Sequence, residues 1–177
     1  ALTWARPELA RHLPVLEAAG VEFDSRVLGD DDFHEATFRD PDGHLARLVE
    51  ARTYSPPERA SGSLLGWFEE YAMPVGDLDA SREFWERLGF VAAASGAEPW
   101  PRLALTSDTL DLGLYRTREL AAPVLRFVSD DVTGLRERLA AAGVEPEARL
   151  PRGLDPRTHV LVVTPEGTNL LAGPEGD

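Results

Sequence analysis

The stretch FRDPDGHLARLVE, residues 38–50, places two short apolar runs on either side of a D-P-D-G tetrapeptide. Proline presets one backbone angle of a tight turn and glycine tolerates a positive φ, so the tetrapeptide predicts a turn between two antiparallel strands. The stretch VVTPEGTNLLAG, residues 162–173, has the same organisation. Two predicted hairpins with the same turn pattern in a single chain indicate an internal repeat.

The repeat extends well beyond the hairpins. The pentapeptide AAGVE occurs at residues 18–22 and again 123 residues later, nearly the offset that separates the two hairpin turns. This offset aligns ALTWA with VLRFV as strands, and it aligns two amphipathic segments as helices that end at Gly20 and Gly143. Pro14 predicts a bend or a restart in the first of these helices. Each repeat therefore has a strand, a helix and then strands that end in a hairpin.

A third copy lies between these two. YAMPVGDLDASREFWERLGF, residues 71–90, predicts a strand followed by a helix, and PRLALTS and LDLGLYR predict two further strands. The polar stretch with paired prolines at residues 53–66 is typical of a linker. The predicted organisation is therefore half of an N-terminal domain at 1–52, whose first module is not seen, and a complete C-terminal domain at 67–177.

Composition and net charge limit the kinds of function that this protein can have. The chain has 177 residues, 43% of them hydrophobic, and a formal net charge of −13. This is typical of a soluble globular protein, and no apolar run is long enough to span a bilayer. The acidic surface repels nucleic acid and attracts small cations, although it also serves solubility alone. Cysteine is absent, which excludes disulfides and thiolate chemistry. A cytoplasmic location is expected.

The order of elements, together with the D-P-D-G hairpins, resembles the vicinal oxygen chelate superfamily over nearly the whole chain. That superfamily includes glyoxalase I, extradiol dioxygenases, and fosfomycin- and bleomycin-resistance proteins. The resemblance implies an α+β fold of paired βαβββ modules, in which curled mixed sheets form a cleft and the helices lie outside. Members that perform chemistry hold a divalent metal in this cleft.

The resemblance also implies where metal ligands would stand. One position is on the first strand of each module, seven residues before the helix-leading aspartate, and another is four residues after the hairpin glycine. These positions hold Glu70, Val124 and Leu171 in the C-terminal domain, and Ala1 and Arg47 in the N-terminal half. Only one of the five is a carboxylate, whereas a catalytic metal needs about three protein ligands. No metal and no other cofactor are therefore expected.

Without a metal, a concave sheet remains, and its lining is predicted from the alternation of strand side chains. The expected floor residues are Glu70, Ala72, Val124, Arg126, His159, Leu161, Asn169 and Leu171. Arg102 is expected to join them from the third strand, and Trp67 and Trp100 are expected to offer flat stacking surfaces. Glu70 could form either a salt bridge with Arg126 or an acid–base pair with His159.

The sequence favours a protein that binds and sequesters a small, cationic or aromatic molecule without catalysis, as in the bleomycin-resistance branch. The alternative is a metal-dependent lyase or dioxygenase of the glyoxalase type, with its site in the unseen module or built from unusual ligands. A degenerate module used for dimerisation or regulation is a third hypothesis. A homodimer, or pairing with a missing N-terminal module, is expected.

Overall fold

The computed structural model describes residues 1–29, 34–50, 63–108 and 110–175, and the chain divides into two compact units. The first unit combines Ala1–Arg59 with Asp79–Phe90, and the second unit combines Ala60–Leu78 with Val91–Asp177. Most of the predicted linker at 53–66 lies outside the described residues. Within the described residues, no helix is long and apolar enough to cross a membrane.

The first unit contains a four-stranded sheet in the order β1-β4-β3-β2. Strand β1 is parallel to β4, and the other neighbours are antiparallel. The β3–β4 hairpin closes as predicted, because Gly43 has a φ of 84° and the Asp40 carboxylate accepts from two turn amides. The elements are β1 (Leu2–Arg6), α1 (Leu9–Ala18), β2 (Phe23–Val27), β3 (Glu35–Arg39) and β4 (Leu45–Glu50).

Helix α1 runs without interruption from Leu9 to Ala18, although Pro14 lies inside it. The expected restart at this proline is therefore wrong. The helix buries Leu9, Leu13 and Leu16, and each buried leucine contributes about 1.5–3 kcal/mol. Together these contributions outweigh the roughly 3 kcal/mol that an interior proline costs.

Helix α2 (Leu78–Arg87) supplies the largest core side chain of the first unit. Trp85 is 1% exposed, and its ring centre lies 6.2 Å from that of Trp4 and 6.4 Å from that of Phe38. Ser81 donates a 2.9 Å hydrogen bond to Asp42 in the hairpin turn. The helix is thus part of the hydrophobic core under the four-stranded sheet.

The second unit is built on a seven-stranded sheet in the order β10-β11-β9-β5-β8-β7-β6. Its first module contains β5 (Trp67–Pro74), β6 (Val91–Gly96), β7 (Arg102–Thr106) and β8 (Asp111–Tyr115), and its second contains β9 (Val124–Val128), α3 (Val132–Ala141), β10 (Val160–Val163) and β11 (Asn169–Gly173). Strands β5 and β9 meet antiparallel at the centre.

The pairing pattern confirms the repeat. The first and last strands of every module are parallel neighbours: β1 with β4, β5 with β8, and β9 with β11. Asp131 caps helix α3, since its carboxylate accepts from the Gly134 amide at 2.8 Å. The predicted α+β fold of mixed sheets is confirmed.

One strand was not located from the sequence, and one expected strand is missing. Strand β6 completes the βαβββ order of its module, but it was not located because VAAASG is rich in small residues that disfavour strands. In the second module, residues 144–159 contain no strand. Pro146, Pro151 and Pro156 interrupt this segment, and proline cannot donate to a β-ladder.

Candidate functional site

A cavity of about 480 Å³ lies on the sheet of the second unit. Its floor comes from β5, β7, β8, β9 and β11, and its walls come from the loop between β6 and β7 and from the irregular segment between α3 and β10. The segment that lacks the expected strand therefore helps to enclose the cavity. Apolar floor and wall residues are Ala72, Trp100, Leu120, Val124, Leu154 and Leu171.

Glu70 lies below this floor and is 1% exposed. Its carboxylate accepts a hydrogen bond from the Tyr115 hydroxyl at 2.5 Å and another from Arg102 Nη2 at 2.7 Å. Space for the carboxylate exists because residue 113 is glycine: a Cβ there would lie 2.3 Å from Glu70 Oε1. The buried charge is thus both paired and hydrogen-bonded, as a low-dielectric interior requires.

A second ion pair lies beside the first. Arg126 donates to the Glu69 carboxylate and, through Nη2, to the Pro174 carbonyl at 2.9 Å. The β5–β9 register shifts between Phe68 and Glu70. Consecutive strand residues normally face opposite sides, but such a bulge turns Glu69 toward the same arginines as Glu70. The predicted Glu70–Arg126 contact exists only at 3.9 Å, and Arg102 is the closer partner.

Burial controls the protonation of this network. Burial, followed by the charge of Glu70, raises the pKa of Tyr115 above its ordinary value, so the phenol stays a proton donor. Burial also raises the pKa of Glu69, and the Arg126 charge offsets this only in part. Burial would lower the pKa of Arg102, but the hydrogen bond to Glu70 and the nearby charges raise it. Arg102 therefore remains charged.

His159 lines the cavity beside Arg126. Its ring lies where a side chain at Gly173 would stand, with Cδ2 only 2.5 Å from the position of a Cβ. Nδ1 is 2.9 Å from the Thr158 hydroxyl. Burial lowers the pKa of His159, and the Asp155 carbonyl acts in the opposite direction. The imidazole is therefore neutral at pH 7.

The cavity contains most of the residues predicted from sequence. Those that line it are Ala72, Trp100, Arg102, Val124, Arg126, His159 and Leu171. The other four lie elsewhere. Glu70 lies beneath the floor, and Trp67 lies outside the lining with 66% of its surface exposed. Trp67 is the first residue of β5. Leu161 and Asn169 line an adjoining cavity of about 260 Å³.

Sequence reasoning missed four members of the site. Tyr115 was read only as part of a strand, although alternation places it on the same face as Gly113. Glu69 could not be found by alternation, because the bulge that turns it inward leaves no mark in the sequence. Leu120 and Leu154 come from loops, whose paths no sequence pattern predicted.

The residues at the expected metal positions do not fit a divalent ion. Val124 and Leu171 have no donor atoms, and both oxygens of the Glu70 carboxylate already accept hydrogen bonds. In the first unit, Arg47 is paired with Glu35. Among the described residues, no group of three His, Asp or Glu side chains could hold a metal. No step of chemistry can therefore be derived through a metal at these positions.

Comparison with known proteins identifies the fold. No family model matches the sequence, and no curated protein matches it. Solved structures do match: a catechol 2,3-dioxygenase aligns with 98% of this chain and 67% of its own, at 14% identity and a TM-score of 0.60. The likeness shows the fold that the sequence resemblance implied, with mixed sheets and few helices.

Two further structures support the same fold. The 2,2′,3-trihydroxybiphenyl 1,2-dioxygenase of Sphingomonas wittichii is 16% identical over 99% of this chain and 70% of its own, with a TM-score of 0.60. The Mn(II)-bound glyoxalase of Novosphingobium aromaticivorans is 16% identical over 99% of this chain and 62% of its own, with a TM-score of 0.59. At this identity the likeness concerns the fold, and function must be argued from the site.

Proposed function

We propose that this protein binds a small organic molecule in the 480 Å³ cavity and does not perform metal-dependent chemistry there. The observation that supports this most strongly is the engagement of Glu70. It is the single carboxylate at the expected metal positions, and Arg102 and Tyr115 occupy its oxygens. Releasing it to a metal would leave a buried guanidinium and a buried phenol without their acceptor, which costs several kcal/mol.

The cavity has the composition of a small-molecule site. Its volume lies within the range of about 300–1,000 Å³ that is usual for such sites, and apolar side chains surround a few convergent polar groups. Trp100 packs edge-to-face on Tyr115, with ring centres 6.2 Å apart. An aromatic ligand can therefore stack on a ring that is already held in place.

The alternative is a dioxygenase- or glyoxalase-type enzyme, and the fold comparisons favour it. Such an enzyme would need ligands other than Glu70, Val124 and Leu171, or a further module. The cytoplasmic location, the absence of nucleic-acid binding and the homodimer, or pairing with a missing module, stay predictions.

Metal analysis and ligand screening of the same purified protein separate the two functions. We expect less than about a tenth of an equivalent of bound metal, and no rise in melting temperature with Fe²⁺, Mn²⁺, Zn²⁺ or Ni²⁺, because the donor set is incomplete. We expect aromatic amines and acids to raise the melting temperature by mass action. Stoichiometric metal with ring-cleaving or lyase activity would contradict the proposal, as would a screen without any ligand.

A further inference from the structure

The floor of the cavity has more hydrogen-bond donors than acceptors. Each guanidinium carries five N–H groups. Arg102 directs Nη2 to Glu70, while its Nε is buried and has no partner within the described part of the chain. Arg126 uses one terminal nitrogen for Glu69 and the other for the Pro174 carbonyl. The floor therefore favours a ligand group that only accepts hydrogen bonds.

The rim of the cavity carries negatively charged acceptors instead of donors. Glu98, Asp155 and Glu175 line the cavity, and all three are exposed. The side chains of Arg102 and Arg126, by contrast, are only 11% and 10% exposed. Donors thus lie deep in the cavity, and negative charges lie at its mouth. The total charge of the chain, −13, adds to the potential that attracts a cation to this mouth.

A flat apolar wall runs from the arginine floor of the cavity to its acidic rim. The Trp100 indole donates to the Arg152 carbonyl at 3.1 Å and packs on Tyr115, so its orientation is fixed from both ends. Leu154 faces the cavity from the segment between α3 and β10. A planar ring of about six atoms fits along such a wall, with one substituent toward the floor and one toward the rim.

We propose that the ligand is a zwitterionic aromatic compound, whose carboxylate or similar acceptor binds Arg102 and Arg126 and whose amine faces Glu98, Asp155 and Glu175. This inference rests on the proposed function and adds the ligand class. The arginine charges are balanced by Glu69 and Glu70, so the floor selects by hydrogen bonding more than by net charge. A charge-assisted hydrogen bond of this kind changes affinity by about ten- to a hundredfold.

A matched set of probes tests the class. 4-(Aminomethyl)benzoate has both groups, benzoate and benzylamine have one each, and benzyl alcohol has neither charge. Dissociation constants come from amide chemical-shift titrations of the full chain. We expect the zwitterion to bind at least tenfold more tightly than benzoate or benzylamine, with shifts in β7 and β9.

Substitutions at the rim and at the floor test where the amine and the carboxylate of the ligand bind. The triple substitution Glu98→Gln, Asp155→Asn and Glu175→Gln should weaken benzylamine and the zwitterion, and leave benzoate unchanged or stronger. Arg102→Lys keeps the charge beside Glu70 but removes the forked donors, so it should weaken benzoate and the zwitterion while benzylamine binds as before. The matched control is Glu137→Gln, Glu145→Gln and Glu166→Gln, which changes the charge equally at exposed positions outside the cavity lining.

The results separate a failure of the ligand class from a failure of the proposed function. If the zwitterion binds no better than benzyl alcohol or benzylamine, the ligand class is overturned while binding in the cavity stands. If the control triple variant weakens the zwitterion as much as the rim variant does, overall charge and not the rim attracts the amine, and the inference is overturned. If no probe and no compound of the wider screen binds, the proposed function itself fails.

Discussion

At the scale of residues, one glycine and one glutamate decide the character of the site. Glu70 stands at a position where the sequence resemblance predicts a metal ligand, and its carboxylate lies between Arg102 and Tyr115. This is possible because Gly113 leaves the space above β8 open. The same pair of residues therefore creates the buried ionic network beneath the cavity.

The dependence of Glu70 on Gly113 gives the first prediction. Gly113→Ala should lower the free energy of unfolding by about 1–3 kcal/mol, because the added Cβ displaces a carboxylate that has no other space. In a Glu70→Ala background the same change should cost much less, since the methyl group then meets no carboxylate. Urea denaturation of the four proteins measures the coupling.

Equal costs of Gly113→Ala in the two backgrounds would contradict this account of the glycine. The backbone at residue 113 is not in the positive-φ region, so alanine introduces no conformational strain. Loss of stability therefore reports the contact with the carboxylate.

The second prediction concerns His159 and pH. Its folded-state pKa is below the ordinary value of 6.5, so below pH 6.5 the unfolded chain binds more protons than the folded chain. Stability contributed by the neutral imidazole is therefore present above pH 6.5 and is lost as the pH falls below it. The charge of Arg126, which faces the ring, also lowers the pKa of His159, whereas Asp155 raises it.

Urea denaturation of the wild-type protein and His159→Asn between pH 5 and pH 8, a range chosen to span the imidazole titration, checks this. The stability advantage of the wild type should be constant above pH 7 and should decrease toward pH 5. Parallel curves over the whole range would show that burial does not perturb this imidazole.

At the scale of elements, helix α2 is the informative case. The stretch that contains it predicted a helix from its start and stop signals, and the helix is present. The sequence grouped it with residues 67–177, whereas residues 79–90 are compact with the first unit. Periodicity identifies which face of a helix is buried but not which sheet covers it, because every amphipathic helix presents the same pattern.

The third prediction follows from this packing. Trp85→Ala should destabilise the first unit by about 3–5 kcal/mol, since it empties the space among Trp4, Phe38 and Phe90. Trp67→Ala is the matched control, because that tryptophan is 66% exposed and should cost about 0.5 kcal/mol or less. Denaturation followed by near-ultraviolet circular dichroism measures both. Similar costs for the two tryptophans would place α2 outside the core.

At the scale of the molecule, the chain passes between its units three times, near residues 59, 78 and 90. Strand β5 lies in the second unit, α2 lies almost wholly in the first, and β6 returns to the second. A module that is continuous in sequence is thus divided between two hydrophobic cores. This division cannot be read from the repeat, because all three modules have the same order of elements.

The sequence by itself determined the repeat and the turns, and its resemblance to a known superfamily implied the fold class. The repeat and the turns depend on local chemistry: proline and glycine set the turns, apolar periodicity set the helices, and repetition at about 123 residues set the modules. The sequence also determined that Glu70 is the single carboxylate at the expected metal positions, where the other residues are Ala1, Arg47, Val124 and Leu171.

The tertiary structure alone decided what the site contains. The bulge that brings Glu69 beside Glu70, the choice of Arg102 over Arg126 as the close partner of Glu70, and the cavity wall around Leu154 all depend on contacts between distant strands and loops. Such contacts follow from register and packing, to which residues far apart in the chain contribute jointly. A sequence pattern reports local preference, so it could locate the floor of the cavity but not the ion-pair network beneath it.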